Sequence, residues 1–221
     1  MSRDASRLWA LIPAAGRSRR MGLPKLLLPW QDSTVIEHLV HTLSRPEIAA
    51  VFVIVRPDDL ELQAAVRRTS AIAVVPDHEP LDMRDSVELG LRTIRERFQP
   101  RDDDGWLLIP ADHPLIEPDV LDGLLTRWAD SDCQVLVPTF RKRRGHPALL
   151  RWTCAALVEQ LPREAGINAL WKSSPGLITE WPTDRESVLA DLDTPEDYAH
   201  WQQRLNHDLR LVGQVSNLSP T

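Results

Sequence analysis

Short apolar runs rich in Val, Ile and Leu alternate along the chain with longer stretches in which apolar residues recur every three or four positions. That alternation is the signature of βα units wound around a mainly parallel sheet. Leu8 to Ala14 reads as the first strand, and the apolar pattern then stops at a loop, Ala15 to Pro24, rich in Gly, Arg and Ser. Thr34 opens a helix: Thr34 and Glu37 have the T-x-x-E spacing of a capping box, and Val35, Ile36, Leu39, Val40 and Leu43 share one face. Ala50 to Val55 predicts a second strand, Leu60 to Thr69 a helix behind Asp58 and Asp59, and Ile72 to Val75 a third strand. A helix over Met83 to Phe98, capped by Asp82, turns Val87, Leu91 and Ile94 inward.

After a charged linker, Arg101 to Gly105, the pattern gives a strand over Trp106 to Ile109 that ends in Pro110-Ala111-Asp112-His113-Pro114. Pro118 suits the first position of a helix running to Trp128, and Val135 to Val137 is a further strand. The alternation then loosens into a basic turn, Arg141 to Gly145, and two short helical patterns, Cys154 to Leu161 and Ile167 to Lys172. Strands are expected at Leu177 to Trp181 and Val188 to Leu192. Thr194-Pro195-Glu196-Asp197 announces a last helix, with Thr as cap and acidic residues at the positive end. Beyond Asn206 there is little periodicity. The expectation is one domain over residues 1–205 and a flexible tail over 206–221, with no internal repeat.

Composition narrows this picture. A chain of 221 residues with 43% hydrophobic content has ample material for a core, and its net charge of −6 argues against a nucleic-acid binder relying on bulk positive charge. Eight Trp are scattered from Trp9 to Trp201 without the clustering of a base-stacking platform. Cys133 and Cys154 have no zinc-site spacing, and no apolar run approaches the roughly 20 residues of a membrane span. With no visible signal segment or anchor, a reducing, cytoplasmic setting is expected. Of 26 basic residues only Lys25, Lys142 and Lys172 are lysines, so a lysine in a suggestive place stands out.

Lys25 closes the most informative stretch, Ala14-Ala15-Gly16-Arg17-Ser18-Arg19-Arg20-Met21-Gly22-Leu23-Pro24-Lys25. It follows the first strand directly, at the carboxyl edge where open α/β sheets bind ligands. Small residues at 14 to 16 admit a ligand close to the main chain, and Arg17, Arg19, Arg20 and Lys25 suit a triphosphate and its pyrophosphate leaving group. A run of arginines is ordinarily a solvated surface; placement after strand one, with flanking glycines and Pro-Lys, favours the phosphate reading. The stretch is neither G-x-x-x-x-G-K-[ST] nor G-x-G-x-x-G, so a Walker ATPase and a Rossmann dehydrogenase lose their main support.

Ala14, Ala15, Gly16, Ser18, Arg20, Met21, Gly22, Pro24 and Lys25 match, position by position, the A-A-G-x-S-x-R-M-G-x-P-K opening motif of the nucleotidyltransferases that attach a nucleoside monophosphate to a phosphorylated acceptor. The resemblance continues to Tyr198. Ala111-Asp112-His113-Pro114 is similar to the family's Asp-Gln-Pro element, Gly145-His146-Pro147 to a G-H-P turn, and Asp191-Leu192-Asp193-Thr194-Pro195-Glu196-Asp197 to D-x-D-T-P-E-D. The whole looks most like the molybdenum cofactor cytidylyltransferase branch. His113 stands where glutamine is usual, and Gly166-Ile167-Asn168 replaces G-A-R. Pro13 and Arg84-Asp85-Ser86-Val87 resemble the methylerythritol-phosphate cytidylyltransferases, but their Asp-Ala-Ala-Arg-Pro segment is absent.

The resemblance implies a single Rossmann-like α/β domain of the nucleotide-diphospho-sugar transferase type, its mainly parallel mixed sheet flanked by helices. It implies Mg²⁺ on Asp112 and Asp193, catalytic roles for Lys25 and Arg20, and nucleotide binding by Ala14, Ala15, Gly16, Arg17, Ser18, Arg19 and Ser86. His113 and His146 are candidates for acceptor contact. The A-A-G opening implies CTP, with GTP as the alternative; the acceptor is a phosphorylated small molecule, and a molybdoenzyme or its chaperone is an implied partner, with no role for nucleic acid or membrane. Plainer roles stand beside these: Asp112 as a turn aspartate, Asp193 as a helix-introducing residue, Asp191 as structural, Ser86 as a backbone partner. A nucleotide-binding accessory protein is the non-enzyme alternative. Joining a nucleotide to a phosphate brings polyanions together, so such a site must supply cations and positioning more than covalent chemistry.

Overall fold

The computed structural model describes residues 6–216 apart from Arg19, Arg163 and Asn168. Strand β1 (Leu8–Pro13) is buried along all six residues because it takes a helical layer on each face. Leu8, Ala10 and Ile12 enter one core, and Trp9 and Leu11 the other. A small antiparallel pair, β2 (Pro29–Trp30) and β3 (Ser33–Thr34), leads into α1 (Val35–Leu43). The capping box forms: the Glu37 amide donates to Thr34 Oγ1 at 3.4 Å, and the Thr34 amide donates to Glu37 Oε2 at 3.0 Å.

Then follow β4 (Ile48–Ile54), α2 (Leu60–Arg67) capped by Asp59, β5 (Ile72–Val74) and α3 (Met83–Phe98) capped by Asp82. Gly90 in α3 has a packing reason: a Cβ there would stand 2.1 Å from Leu11 Cδ1, so the missing side chain lets α3 settle onto β1. The remaining elements are β6 (Gly105–Leu108), α4 (Pro118–Ala129), β7 (Val135–Phe140), β8 (Arg143–Arg144), β9 (Ala148–Arg151), α5 (Ala155–Glu159), α6 (Ala169–Ser173), β10 (Ile178–Pro182) and α7 (Pro195–Ser216).

The main sheet runs β10-β7-β9-β6-β1-β4-β5, with β8 paired to β7. Strands β6, β1, β4 and β5 are mutually parallel, β10 is parallel to β7, and β9 is antiparallel to both of its neighbours. The fold is therefore the expected α/β domain with a mixed, mostly parallel sheet. Among the described residues no helix is long and apolar enough to cross a membrane.

The short strands β2, β3 and β8 are not expected from the sequence, and three longer stretches differ from it. Ala148–Arg151 is a strand inserted at the sheet centre. The expected strand at Val188 to Leu192 is instead a 3-10 helix, Glu186–Leu189, followed by irregular chain. Its polar groups are taken locally and by a neighbouring turn: the Val188 carbonyl accepts from the His146 amide at 2.8 Å and the Ala190 amide donates to the Ser187 carbonyl at 3.0 Å. The last helix continues past Asn206 to Ser216. A nucleated helix extends at low cost through Leu- and Arg-containing sequence. Residues 217–221 of the expected tail lie outside the described residues.

Because β1, β4, β5 and β6 are parallel, the loops after them gather at one edge of the sheet. These are residues 14–24, 55–59, 75–82 and 109–117.

Candidate active site

At that edge lies a cleft of about 600 Å³ whose wall includes residues 13–18, Arg20, Lys25, Ser86, Asp112 and Asp193. Ala14 is held in line with the sheet by its amide, which donates to the Ile54 carbonyl at 2.9 Å. The Ser18 carbonyl then accepts from the Met21 and Gly22 amides at 3.1 and 3.2 Å, a tight turn that puts Gly22 at φ 67°. The turn brings the chain back so that Lys25, first residue of a short 3-10 helix, points into the cleft wall with 13% of its side chain exposed.

Lys25 Nζ donates to Asp112 Oδ2 at 3.0 Å and to Asp193 Oδ1 at 3.4 Å. Arg20 Nη1 meets the other oxygen of Asp193 at 2.8 Å. Asp112 arrives from the loop after β6, Asp193 from the segment before α7. The two are sewn together by the Leu192 amide, which donates to the Asp112 carbonyl at 2.9 Å. Asp193 is itself fixed through Asp197, whose Oδ2 accepts from the Asp193 and Thr194 amides at 3.2 and 2.8 Å.

Behind Asp112 lies His113. Its Nδ1 is 3.3 Å from Asp112 Oδ1 and its Nε2 is 2.6 Å from Asp191 Oδ1. Burial alone would lower the His113 pKa, but the hydrogen bonds and charges of the two carboxylates raise it to about 9. Burial likewise works against ionisation of Asp112; the His113 hydrogen bond and the Lys25 charge outweigh it and hold the carboxyl well below the usual range. The His146 ring packs edge-on against His113 with centroids 4.4 Å apart, and burial together with the facing charge lowers its pKa to about 3. At neutral pH the pair is one imidazolium and one neutral ring.

Sequence reasoning named most of the cleft. Ala14, Ala15, Gly16, Arg17, Ser18, Arg20, Lys25, Ser86, Asp112 and Asp193 all line it. Arg19 and Asn168 lie outside the described residues. The guanidinium of Arg17 is engaged by Glu79 at 2.7 and 2.5 Å and by Asp58 at 3.1 Å, strapping the loop after β1 to the loop after β5. Ser86 Oγ donates to the Asp82 carbonyl at 3.3 Å, one turn back. His113 and His146 sit behind the wall rather than in it. Three partners escaped the sequence reading: Asp191 on His113, Glu79 on Arg17, and Arg56 beneath the loop. Only the position of Arg56 just beyond the second strand, at the ligand edge, could have drawn attention to it.

Asp112 and Asp193 share the Lys25 ammonium at the cleft wall, and among the described residues Asp112, His113 and Asp191 present possible metal-ligand atoms within 4.8 Å of one another. His113 has both ring nitrogens committed to carboxylates and bridges Asp112 to Asp191.

Residues 10–177 match the MobA-like NTP transferase domain, a stretch that takes in most of β1, the basic loop, Asp112 and the Gly145-His146-Pro147 turn. The chain belongs to the MobA-like NTP transferase family. Members of this family bind an NTP and a phosphorylated acceptor and generally use a divalent metal. Purine catabolism protein PucB of Bacillus subtilis (strain 168) is 28% identical over 196 residues, covering 84% of this chain and 91% of its own. Molybdenum cofactor cytidylyltransferase of Escherichia coli (strain K12) is 21% identical over 194 residues, covering 88% and 95%. The crystal structure of Rv0371c from Mycobacterium tuberculosis H37Rv has the same fold, with a TM-score of 0.72 at 24% identity over 90% of this chain and 98% of that one. This MobA-like transferase thus carries the family's opening loop at the carboxyl edge of its sheet, with the two aspartates brought to it from loops far along the chain.

Proposed function

We propose that this MobA-like transferase moves CMP from CTP to the molybdopterin cofactor and releases pyrophosphate. The observation that carries the reading is the convergence of Lys25, Asp112 and Asp193 at the end of the Ala14-Ala15-Gly16 loop. The A-A-G opening supports CTP as donor, and the likeness to a molybdenum cofactor cytidylyltransferase along most of both chains supports the acceptor.

The residues divide the work by charge. Small residues at 14 to 16 let the nucleotide lie against the main chain, and Ser86 faces the same cleft from α3. Arg20 and Lys25 neutralise the α-phosphate and the departing pyrophosphate, so that repulsion between donor and acceptor phosphates no longer dominates the barrier. Asp112 and Asp193 would hold Mg²⁺, which when bound supplies charge neutralisation and alignment of phosphate oxygens. The imidazolium of His113 orients Asp112 through one oxygen and leaves the other to face the cleft.

Methylerythritol phosphate is the second acceptor to consider, on the strength of Arg84-Asp85-Ser86-Val87. Of that segment only Ser86 lines the cleft; Arg84 is turned into the fold, bonded to Glu88 at 2.6 Å and to the Pro162 carbonyl. Guanylyl transfer to molybdopterin and nucleotide binding without catalysis remain as outcomes of one assay. The protein is incubated with Mg²⁺, each NTP in turn, and molybdopterin or methylerythritol phosphate, and pyrophosphate is measured. Release is expected to be strongest with CTP and molybdopterin. Preference for GTP overturns the base assignment, and no release with any pairing favours the accessory role.

A further inference from the structure

We propose that Arg56 is a positioning residue that turns two backbone amides of the basic loop toward the nucleotide's phosphates, a role that rests on the nucleotidyl-transfer reading. Arg56 follows β4, and only 12% of its side chain is exposed. Its Nη1 donates to the Ala15 carbonyl at 3.3 Å and to the Gly16 carbonyl at 3.0 Å. The guanidinium is aimed by two carboxylates, Nε donating to Asp58 Oδ1 at 3.0 Å and Nη2 to Asp59 Oδ2 at 3.0 Å. Asp59 is in turn fixed as the cap of α2. Arg56 is thus held at the start of α2 and takes hold of two successive carbonyls of the loop, between the Ala14 amide bond to Ile54 and the Arg17 ion pairs.

The consequence follows from peptide geometry. In a trans peptide the C=O and the following N–H point in opposite directions. With the Ala15 and Gly16 carbonyls drawn onto Arg56, the amides of Gly16 and Arg17 are directed to the other side of the loop. The wall of the cleft on this side is residues 13–18, and Arg56 is not part of it. Two adjacent amides facing an anion from a loop form the concave donor arrangement that recurs at phosphate sites. A Cβ at Gly16 would meet nothing within 4 Å, so neighbouring side chains do not crowd the main chain at this point of the cleft wall. The cation therefore acts from behind. It lends the loop a fixed orientation and leaves the front face to main-chain donors, Arg20 and Lys25.

Isothermal titration with inorganic pyrophosphate tests this on the intact chain and on the variants Arg56→Met and Arg56→Lys. Arg56→Met should bind pyrophosphate at least tenfold more weakly in protein that remains folded by circular dichroism, with a lowered thermal midpoint because Asp58 and Asp59 lose their partner. Arg56→Lys, which can satisfy one carbonyl at a time, should recover part of the loss. In ¹⁵N spectra of the wild type, the Gly16 and Arg17 amides should shift on addition of pyrophosphate, a readout that stands even if a variant fails to fold. Wild-type pyrophosphate affinity in a folded Arg56→Met, or unmoved Gly16 and Arg17 amides while pyrophosphate binds, overturns the role of Arg56. A wild type that binds neither pyrophosphate nor any NTP overturns the nucleotidyl-transfer reading instead, and with it the ground on which this role rests.

Discussion

Lys25 and Asp112 stand 87 positions apart in the chain and 3.0 Å apart in the fold, and the same ammonium reaches Asp193 at 3.4 Å. The lysine thus bridges the two carboxylates. Loss of one group that stabilises developing charge commonly costs about a hundred- to a thousand-fold in kcat. Lys25→Ala should lose activity on that scale in a steady-state pyrophosphate assay. It should also bind Mn²⁺ more tightly than wild type in the absence of nucleotide, because the competing ammonium is gone.

His113 supports Asp112 from behind, so its effect should be one of orientation. Groups that hold a metal-binding side chain in place typically contribute about ten- to a hundred-fold. His113→Ala should reduce kcat within that range and raise the metal concentration needed for half-maximal rate. His113→Gln, which keeps a donor for Asp112, should lie between the two. Equal rates in all three would remove His113 from the account.

Gly90 tests the packing that brings α3 and Ser86 to the cleft. A Cβ at 90 would lie 2.1 Å from Leu11 Cδ1 and 3.1 Å from Ile54 Cδ1, both in the buried core. Although alanine is intrinsically better than glycine in a helix, overpacking costs about 1–3 kcal/mol and outweighs that gain of about 1 kcal/mol. Gly90→Ala should unfold at lower urea concentration than wild type.

Asp104 gives the pH dependence. Its carboxylate has no exposed surface and accepts from the Arg7 and Arg101 amides, each at 2.8 Å, and from the Arg7 guanidinium at 2.8 Å. Burial acts to raise its pKa, but the Arg101 and Arg7 donors prevail and lower it. A carboxyl whose folded pKa is depressed contributes stability above its unfolded value of about 3.9, and that contribution disappears as pH falls through the lower folded value. Wild type should therefore lose stability on acidification below about pH 4. Asp104→Asn should be less stable near neutrality, by about 2 kcal/mol, because the buried side chain loses its charge-assisted bonds to Arg7 and Arg101 while both arginines stay accessible to water. The gap in urea midpoints between the two should narrow toward pH 3.

Local signals were legible in the sequence, and long-range ones were not. The capping box at Thr34 and the Asp82 cap of α3 depend on residues three apart, and Pro118 at the start of α4 on its own backbone geometry, and the structure bears each of them out. The basic loop was recognisable because its Gly, Pro and Lys lie together. Strand β9 has only four residues, and its place between β6 and β7 is set by partners about 40 and 15 residues away, for which the pattern carries no mark. The Val188 segment has strand-like composition, but the Gly145-His146 turn occupies its carbonyl; a Cβ at Gly145 would lie 2.2 Å from that oxygen. Asp191 looked structural because its partner, His113, is 78 positions earlier.

The most direct test of the account is a crystal grown with CTP and Mn²⁺, with the metal located by anomalous scattering. One metal peak is expected, held by Asp112 and Asp193 and touching the α-phosphate, with Lys25 moved off the two carboxylates and onto phosphate oxygens. A metal bound away from Asp112, or a triphosphate lying elsewhere than along residues 14–25, would contradict it.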